Sequence, residues 1–273
     1  QIIQWMVGRP LGELYPAKNT QFGAEILRVE DLTIQSPEGK ILADQVSFRV
    51  RAGEVLALGG LLGAGRTETL EALFGAFHPS GPRKPGYRIR GRLWIKGQEV
   101  KVRRPLGAIT LRMALVSEDR KQSGLVLKHS IRQNLSLPGL VSGRVNLRDE
   151  GTGIAHWWRE LRIRARDPEQ GVSELSGGNQ QKIVLAKWLL TNPEILFLDE
   201  PTRGVDVGAK HEIYTWIQKL ANQGMAIVLA SSEMPELLGL AHSILVLREG
   251  KISGRFATGQ AVTQEEIMKA ASL

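Results

Sequence analysis

One stretch restricts the fold more than any other: Val55-Leu56-Ala57-Leu58-Gly59-Gly60-Leu61-Leu62-Gly63-Ala64-Gly65-Arg66-Thr67. An apolar run breaks into a loop with four glycines and then enters Thr67–Phe74, which reads as a helix. A strand, a glycine turn and a helix start in that order make a cradle for phosphate. Glycines let backbone N–H groups face an anion closely, and the helix start adds partial positive charge. Gly60 to Thr67 fits G-x-x-x-x-G-K-[ST] except that Arg66 stands where lysine is expected. The candidate phosphate contacts are Gly60, Leu61, Leu62, Gly63, Ala64, Gly65, Arg66, Thr67 and Glu68. Alone, the motif is also compatible with an ordinary glycine-rich strand-to-helix turn.

Two later motifs bear on that choice. Ile195–Leu198 reads as a fully buried strand, and Asp199 at its end sits where open α/β sheets place ligands. In phosphate-loop proteins such an aspartate holds Mg²⁺ together with the loop hydroxyl, here Thr67. Glu200 would then polarise an attacking water as general base. A strand-end aspartate that merely caps a turn is the plainer alternative. The third motif is Leu175-Ser176-Gly177-Gly178-Asn179-Gln180-Gln181-Lys182. Ser176 can cap a helix whose first turn holds two glycines, leaving N–H groups bare for an anion. By itself a Ser-Gly-Gly start is only a cap. A second anion site is redundant for one nucleotide but natural where two domains sandwich ATP.

Around these motifs, Ala24–Ile34, Val46–Val50 and Tyr87–Ile95 alternate as strands, with turns at Ser36–Lys40, Ala52-Gly53 and Lys96–Glu99. They predict an antiparallel sheet beside the glycine-loop strand. After the brief strand Ala114–Val116, residues from Ser130 to Gly171 are helical in pattern (Ile131–Leu137, Ile154–Arg164) and read as an inserted subdomain, with Trp157 and Trp158 as packing residues. Helix Ser176–Leu190, helix Val207–Asn222, strand Met225–Ser231, helix Pro235–Leu240 and a final strand Ile244–Leu247 complete an α/β alternation that predicts a parallel sheet flanked by helices. Gln1–Arg9 reads as the end of a helix, with Leu11–Phe22 a linker. Because the chain opens on Gln rather than Met, it is expected to be part of something longer.

Composition excludes several classes. There is no cysteine, so no disulfide or thiolate metal site. No run approaches the roughly 18 apolar residues of a membrane span, and no signal pattern precedes the first strand, which favours the cytosol. The net charge of +8 is scattered, with modest clusters at Arg83–Arg92, Lys101–Arg104 and Arg159–Arg166. These read as solvated faces, so a nucleic-acid partner is not expected.

Leu175–Gln180 followed by Leu198-Asp199-Glu200-Pro201-Thr202 resembles the signature motif and Walker B of ATP-binding cassette (ABC) transporter ATPases. The order of phosphate loop, helical subdomain, signature and Walker B is also theirs. Gly63–Glu68, Ser117-Glu118-Asp119-Arg120-Lys121 and Thr202–Lys210 are similar to the second cassette of tandem sugar-import ATPases of the ribose/galactose/xylose type. Met6–Arg9 resembles the tail of a first cassette. The resemblance implies a P-loop NTPase fold with a parallel-sheet core, an antiparallel β subdomain and an inserted α-helical subdomain. It divides the chain into residues 1–23 (tail and linker), 24–260 (cassette, helical part about 122–175) and 261–273 (C-terminal tail). It implies ATP and Mg²⁺ as cofactors, held at the loop, Glu118, Asp199, Asp206, Ser232 and, from the signature, Leu175, Ser176, Gly177, Gly178 and Asn179. The implied partners are an N-terminal cassette of the same polypeptide and permease subunits on the inner face of the membrane, contacted by the Glu118–Ser123 region and the helical subdomain. No direct sugar contact is implied.

Departures from the family pattern carry their own expectation. Arg66 replaces the loop lysine, Glu118 stands at the Q-loop glutamine, Ser232 at the switch histidine, and Ser36 near the adenine-stacking aromatic. A planar guanidinium does not reproduce a compact ammonium at the phosphates. This chain's own Walker site is therefore expected to bind nucleotide but hydrolyse it poorly, while Ser176–Asn179 completes the partner cassette's site. Two rivals stay open: a non-transport ABC ATPase acting on nucleic acid or the ribosome, and a structural cassette that binds no nucleotide.

Overall fold

The computed structural model describes residues 15–18, 21–77, 86–143, 150–257 and 262–272. The helix end expected at Gln1–Arg9, the Met6–Arg9 resemblance and nearly all of the Pro/Gly stretch after Phe77 lie outside them.

Among the described residues ten strands form two sheets. β1 (Glu25–Gln35), β2 (Ile41–Arg51), β4 (Arg88–Ile95) and β5 (Gln98–Val100) make an antiparallel sheet in the order β2-β1-β4-β5. β4 and β5 meet through Lys96 and Gly97, both at positive φ (51° and 77°). That backbone pair matches the right-handed twist of a hairpin. The second sheet has the order β10-β9-β3-β8-β7-β6, from β3 (Val55–Gly60), β6 (Met113–Val116), β7 (Ile195–Asp199), β8 (Ala226–Ala230), β9 (Ser243–Arg248) and β10 (Lys251–Ala257). All of its neighbours pair in parallel except β10, which runs antiparallel to β9.

A parallel sheet must be covered on both faces, and here the period-two alternation of its strands divides their side chains between two cores. Leu56, Leu58, Ile195, Phe197 and Val228 face the antiparallel sheet and helix α1 (Arg66–Leu73). Val55, Leu196, Leu198, Ile227 and Leu229 face the helical side. α2 (Pro105–Thr110) adds Ala108 and Ile109 to the first of these cores, while on the helical side α3 (Ile131–Ser142) and α4 (Glu150–Glu160) precede α5 (Gly177–Leu189) and α6 (Val207–Asn222). A third core gathers Ala57, Ile244 and Val246 under α7 (Met234–Leu240) and α8 (Gln264–Ser272). Trp157 packs edge-on against Trp216 at 6.2 Å, as a core aromatic does. No helix among the described residues is long and apolar enough to cross a membrane.

Several elements differ from the sequence expectation. Ile244–Leu247 is not the last strand: β10 follows as an edge strand whose pattern is too exposed to read, and α8 docks by Ile267 and Ala271. α2 begins at a proline and is too short for a periodic signal. α3 runs on through Pro138 to Ser142, its start fixed by the reciprocal Ser130–Gln133 capping box. α4 ends at Glu160, and the apolar positions Leu161 and Ile163 are buried beyond it, on either side of Arg162 at φ 48°.

Phe197 is fully buried in the middle of β7. Phe197→Ala is expected to lower the free energy of unfolding by about 3–5 kcal/mol, measured as a shift in the urea midpoint at unchanged slope.

Candidate functional site

The glycine loop leaves β3 and closes immediately onto α1. Gly60 has φ 143°, and a Cβ there would lie 2.3 Å from the carbonyl oxygen of Leu247. Gly65 has φ 99°, and its Cβ would lie 2.1 Å from that of Leu42. Both positions are closed to any side chain, because the β2 and β9–β10 backbones pass directly beneath the loop. Gly65 also caps α1 without offering it a side-chain acceptor. The first N–H groups of that helix, unlike those of α5 and α6, therefore face outward with no side chain to satisfy them.

Sheet register brings the opposing carboxylates to this loop. Leu58 of β3 is level with Ala230 of β8, and Ala230 with Asp199 of β7. Asp199 thus ends with one strand, β8, between it and the strand that leads into the loop, and Thr67 Oγ1 donates to its Oδ1 at 3.1 Å. Burial pushes the Asp199 carboxyl up to about 7, opposed by the Thr67 hydrogen bond and reinforced by the charge of Glu200. Glu200 turns the chain out of the sheet at φ 45°, its N–H donating to the Ala230 carbonyl at 2.9 Å. Its carboxylate is held from two sides. Arg66 Nη1 lies 3.2 Å from Oε1, with both side chains about nine-tenths buried, and Ser232 Oγ donates to Oε2 at 3.1 Å. The Arg66 contact is an ion pair outside hydrogen-bond geometry, so Nη1 has no hydrogen-bond partner. A hydroxyl and a carboxylate oxygen in contact suit a small hard cation. A buried guanidinium nitrogen lacking an acceptor suits a phosphate oxygen. The residues present fit both ATP and Mg²⁺.

The second group lies apart. Ser176 caps α5, its Oγ accepting from the Asn179 N–H (3.4 Å) and from Asn179 Nδ2 (3.1 Å), while Asn179 Oδ1 accepts from the Arg164 N–H at 2.9 Å. Asp206 caps α6 through the Ala209 N–H at 3.0 Å. Arg164, Ser176, Asn179, Lys182, Asp206 and Glu212 share one small cavity. Lys182 is paired with Glu212 and donates to the Arg162 carbonyl. Among the described residues no hydrogen bond or ion pair joins this group to Thr67, Asp199 or Glu200. The two signature glycines have packing reasons beyond the bare N–H groups read from sequence. A Cβ on Gly177 would sit 2.8 Å from Arg120 Nη2, and one on Gly178 would sit 2.7 Å from the Ala209 methyl.

Glu118 is ion-paired with Arg203 and makes no contact of that kind with the Thr67–Asp199 pair. Ser36 is buried and donates to its neighbour Glu38 at 2.7 Å. Sequence reasoning missed a buried knot beside the site. Glu236, on α7, accepts from Thr202 Oγ1, from Tyr214 OH (2.7 Å) and from Ser231 Oγ (2.7 Å). Burial, followed by the Glu236 charge, holds the Tyr214 hydroxyl well above its ordinary range. The knot ties the loop after Glu200 to the loop that carries Ser232. A glutamate between a proline and a leucine on a short helix gives no sequence signal of it. Arg120 was inside a quoted motif, but its partners were not readable there.

A family model described as ABC transporter matches residues 43–203. The Xylose import ATP-binding protein XylG of Geobacillus kaustophilus (strain HTA426) is 48% identical over 277 residues, covering 100% of this chain and 53% of that protein. The Ribose import ATP-binding protein RbsA of the same organism is 46% identical over 276 residues, with the same coverage. The chain thus spans about half the length of the curated relatives it matches. Among solved structures, an ATP-binding subunit of an ABC transporter superposes with TM-score 0.73 at 21% identity, covering 91% of this chain and 100% of that one. A nucleotide-free ATP-binding cassette from an ABC transporter gives 0.72 at 19%, covering 91% and 96%. At such identities these two structures speak to the fold alone.

Asp199 has a folded-state pKa above its unfolded one, so its ionisation costs stability as pH rises from 3.8 to about 7. Asp199→Asn is therefore expected to melt higher than the parent in metal-free buffer. The gain should grow between about pH 4 and 7 and level off above, in thermal melts followed by circular dichroism.

Proposed function

Because the chain belongs to the ABC transporter family, we propose that it is a cassette that binds ATP with Mg²⁺ and closes against a second cassette to power monosaccharide import. Ribose and xylose are the substrates that its relatives' names carry. The observation that carries the reading is the separation of two anion-facing groups on one chain. The glycine loop with Thr67, Asp199 and Glu200 forms one, and the Ser176–Asn179 helix start, joined to it by no hydrogen bond or ion pair among the described residues, forms the other.

Thr67 Oγ1 and Asp199 would hold Mg²⁺, which when bound neutralises phosphate charge. The α1 N–H groups and Arg66 would bind the phosphates, the guanidinium exchanging Glu200 for a phosphate oxygen. Glu200 would take a proton from water, but its carboxylate starts out paired to Arg66 and hydrogen-bonded by Ser232. A water could reach the carboxylate as its proton donor only where these two contacts give way. That supports a site that binds ATP and turns it over slowly. Ser176–Asn179 would serve the nucleotide of the opposing cassette, which in proteins twice this length would be the other half of the same polypeptide. The Glu118–Ser123 segment and the helical subdomain would face permease subunits, and the cassette would sit on the inner face of the membrane.

In the intact transporter, Ser176→Arg is expected to lower ATP turnover by about a hundredfold or more, as loss of transition-state donors does. Arg66→Ala is expected to lower it by less than about threefold. The reverse pattern means that the two sites are assigned backwards. Saturable binding of a fluorescent ATP analogue to the Arg66 site is the expected result of a titration. No binding would favour the structural cassette, a reading to which the Arg66–Glu200 pair also lends itself.

A further inference from the structure

Arg120 opens a single wide turn, Arg120–Gly124, whose start is capped by Asp119 accepting from the Lys121 and Gln122 N–H groups. From there its guanidinium spans two other segments. Nη1 donates to the Arg203 carbonyl at 3.0 Å, Nη2 to the Gly204 carbonyl at 3.3 Å, and Nε to Gln180 Oε1 at 3.4 Å. Gln180 is itself buried and anchored to the Val172 carbonyl at 3.2 Å. Nη2 also fills the space that a side chain on Gly177 would need. Among the described residues no carboxylate pairs with this cation; all three of its acceptors are neutral oxygens. A guanidinium spent in that way orients backbone rather than balancing charge, and its fork reaches two successive carbonyls as an ammonium cannot. Two residues upstream, Glu118 holds the Arg203 side chain, so the same segment grips the loop by backbone and side chain. At the far end of that loop Asp206 caps α6, and its Oδ2 lies 3.4 Å from where a Gly178 Cβ would stand.

We propose that Arg120 is a positioning residue. It locks the first turn of α5, Ser176 to Asn179, to the 203–206 loop, so that both present one rigid edge to a nucleotide bound outside this chain. The inference rests on the functional reading above, in which Ser176–Asn179 serves an opposing cassette. Gly177 belongs to the same device, since its missing side chain is the seat of the guanidinium. Because neither Arg120 nor Gly177 touches the glycine loop, the device acts on turnover and leaves this chain's own nucleotide affinity alone.

The test measures ATP turnover against ATP concentration in the intact transporter, permease included, for Arg120→Ala, Arg120→Lys, Gly177→Ala and the Arg120→Ala/Gly177→Ala pair. Each single change is expected to lower kcat by roughly ten- to a hundredfold, as misplacement by about 1 Å does in a catalytic assembly. KM for ATP should change by less than about threefold and melting temperatures by less than about 4 °C. The paired variant should be no slower than Arg120→Ala, because the added methyl occupies space the guanidinium has left. Unchanged kcat in both Arg120 variants, losses that multiply in the pair, or losses that track melting temperature would each overturn the proposal. If Ser176→Arg fails to stop turnover, the functional reading beneath it falls. A transporter that needs Ser176 but is indifferent to Arg120 sinks this inference alone.

Discussion

The hydrogen bond from Thr67 to Asp199 joins residues 132 positions apart, and the rest of the molecule is arranged so that it can form. It requires β3, β8 and β7 to lie in one register, Leu58 beside Ala230 beside Asp199. That register is stiff because both faces of the sheet are buried. A slip of one residue would exchange the side chains that face the antiparallel sheet with those that face α5 and α6. Hydrophobic packing on two sides therefore sets the position of a hydroxyl and a carboxylate to within a hydrogen bond.

What this geometry creates is a pocket with unbalanced electrostatics. Asp199 is held near neutrality by burial, and Arg66 and Glu200 neutralise one another in near-complete isolation from water. A buried ion pair gains little over its desolvation cost unless its remaining hydrogen bonds are made, and Arg66 Nη1 makes none. On the function proposed above, a phosphate oxygen would take the guanidinium, and its binding would release Glu200 in the same step.

Hydrogen bonds between one charged side chain and several neutral groups do the complementary work of holding loops. Glu236 gathers Thr202, Tyr214 and Ser231 behind Glu200 and Ser232, and Arg120 gathers Arg203, Gly204 and Gln180 beside the Ser176 helix start. In both knots one branched polar group satisfies donors or acceptors from separate segments. The short loop between Asp199 and α6 is consequently tied down on each side.

Much of this was written in the chain itself. The apolar run into glycines, the buried strand closing on Asp-Glu and the Ser-Gly-Gly helix start are local patterns. The physics behind them, backbone freedom at Gly60 and Gly65, burial of Ile195–Leu198 and capping by Ser176, acts between near neighbours and so is legible without coordinates. The family likeness followed from those same residues. β10 and α8 were not legible, since an edge strand and a short amphipathic helix owe their form to the surface that they cover. Nor were the partners of Arg66, Glu118, Arg120 and Glu236. A long polar side chain has many acceptors within reach of its sequence neighbourhood. Only packing of distant elements, which removes water and leaves one set of atoms in contact, decides which acceptor it meets.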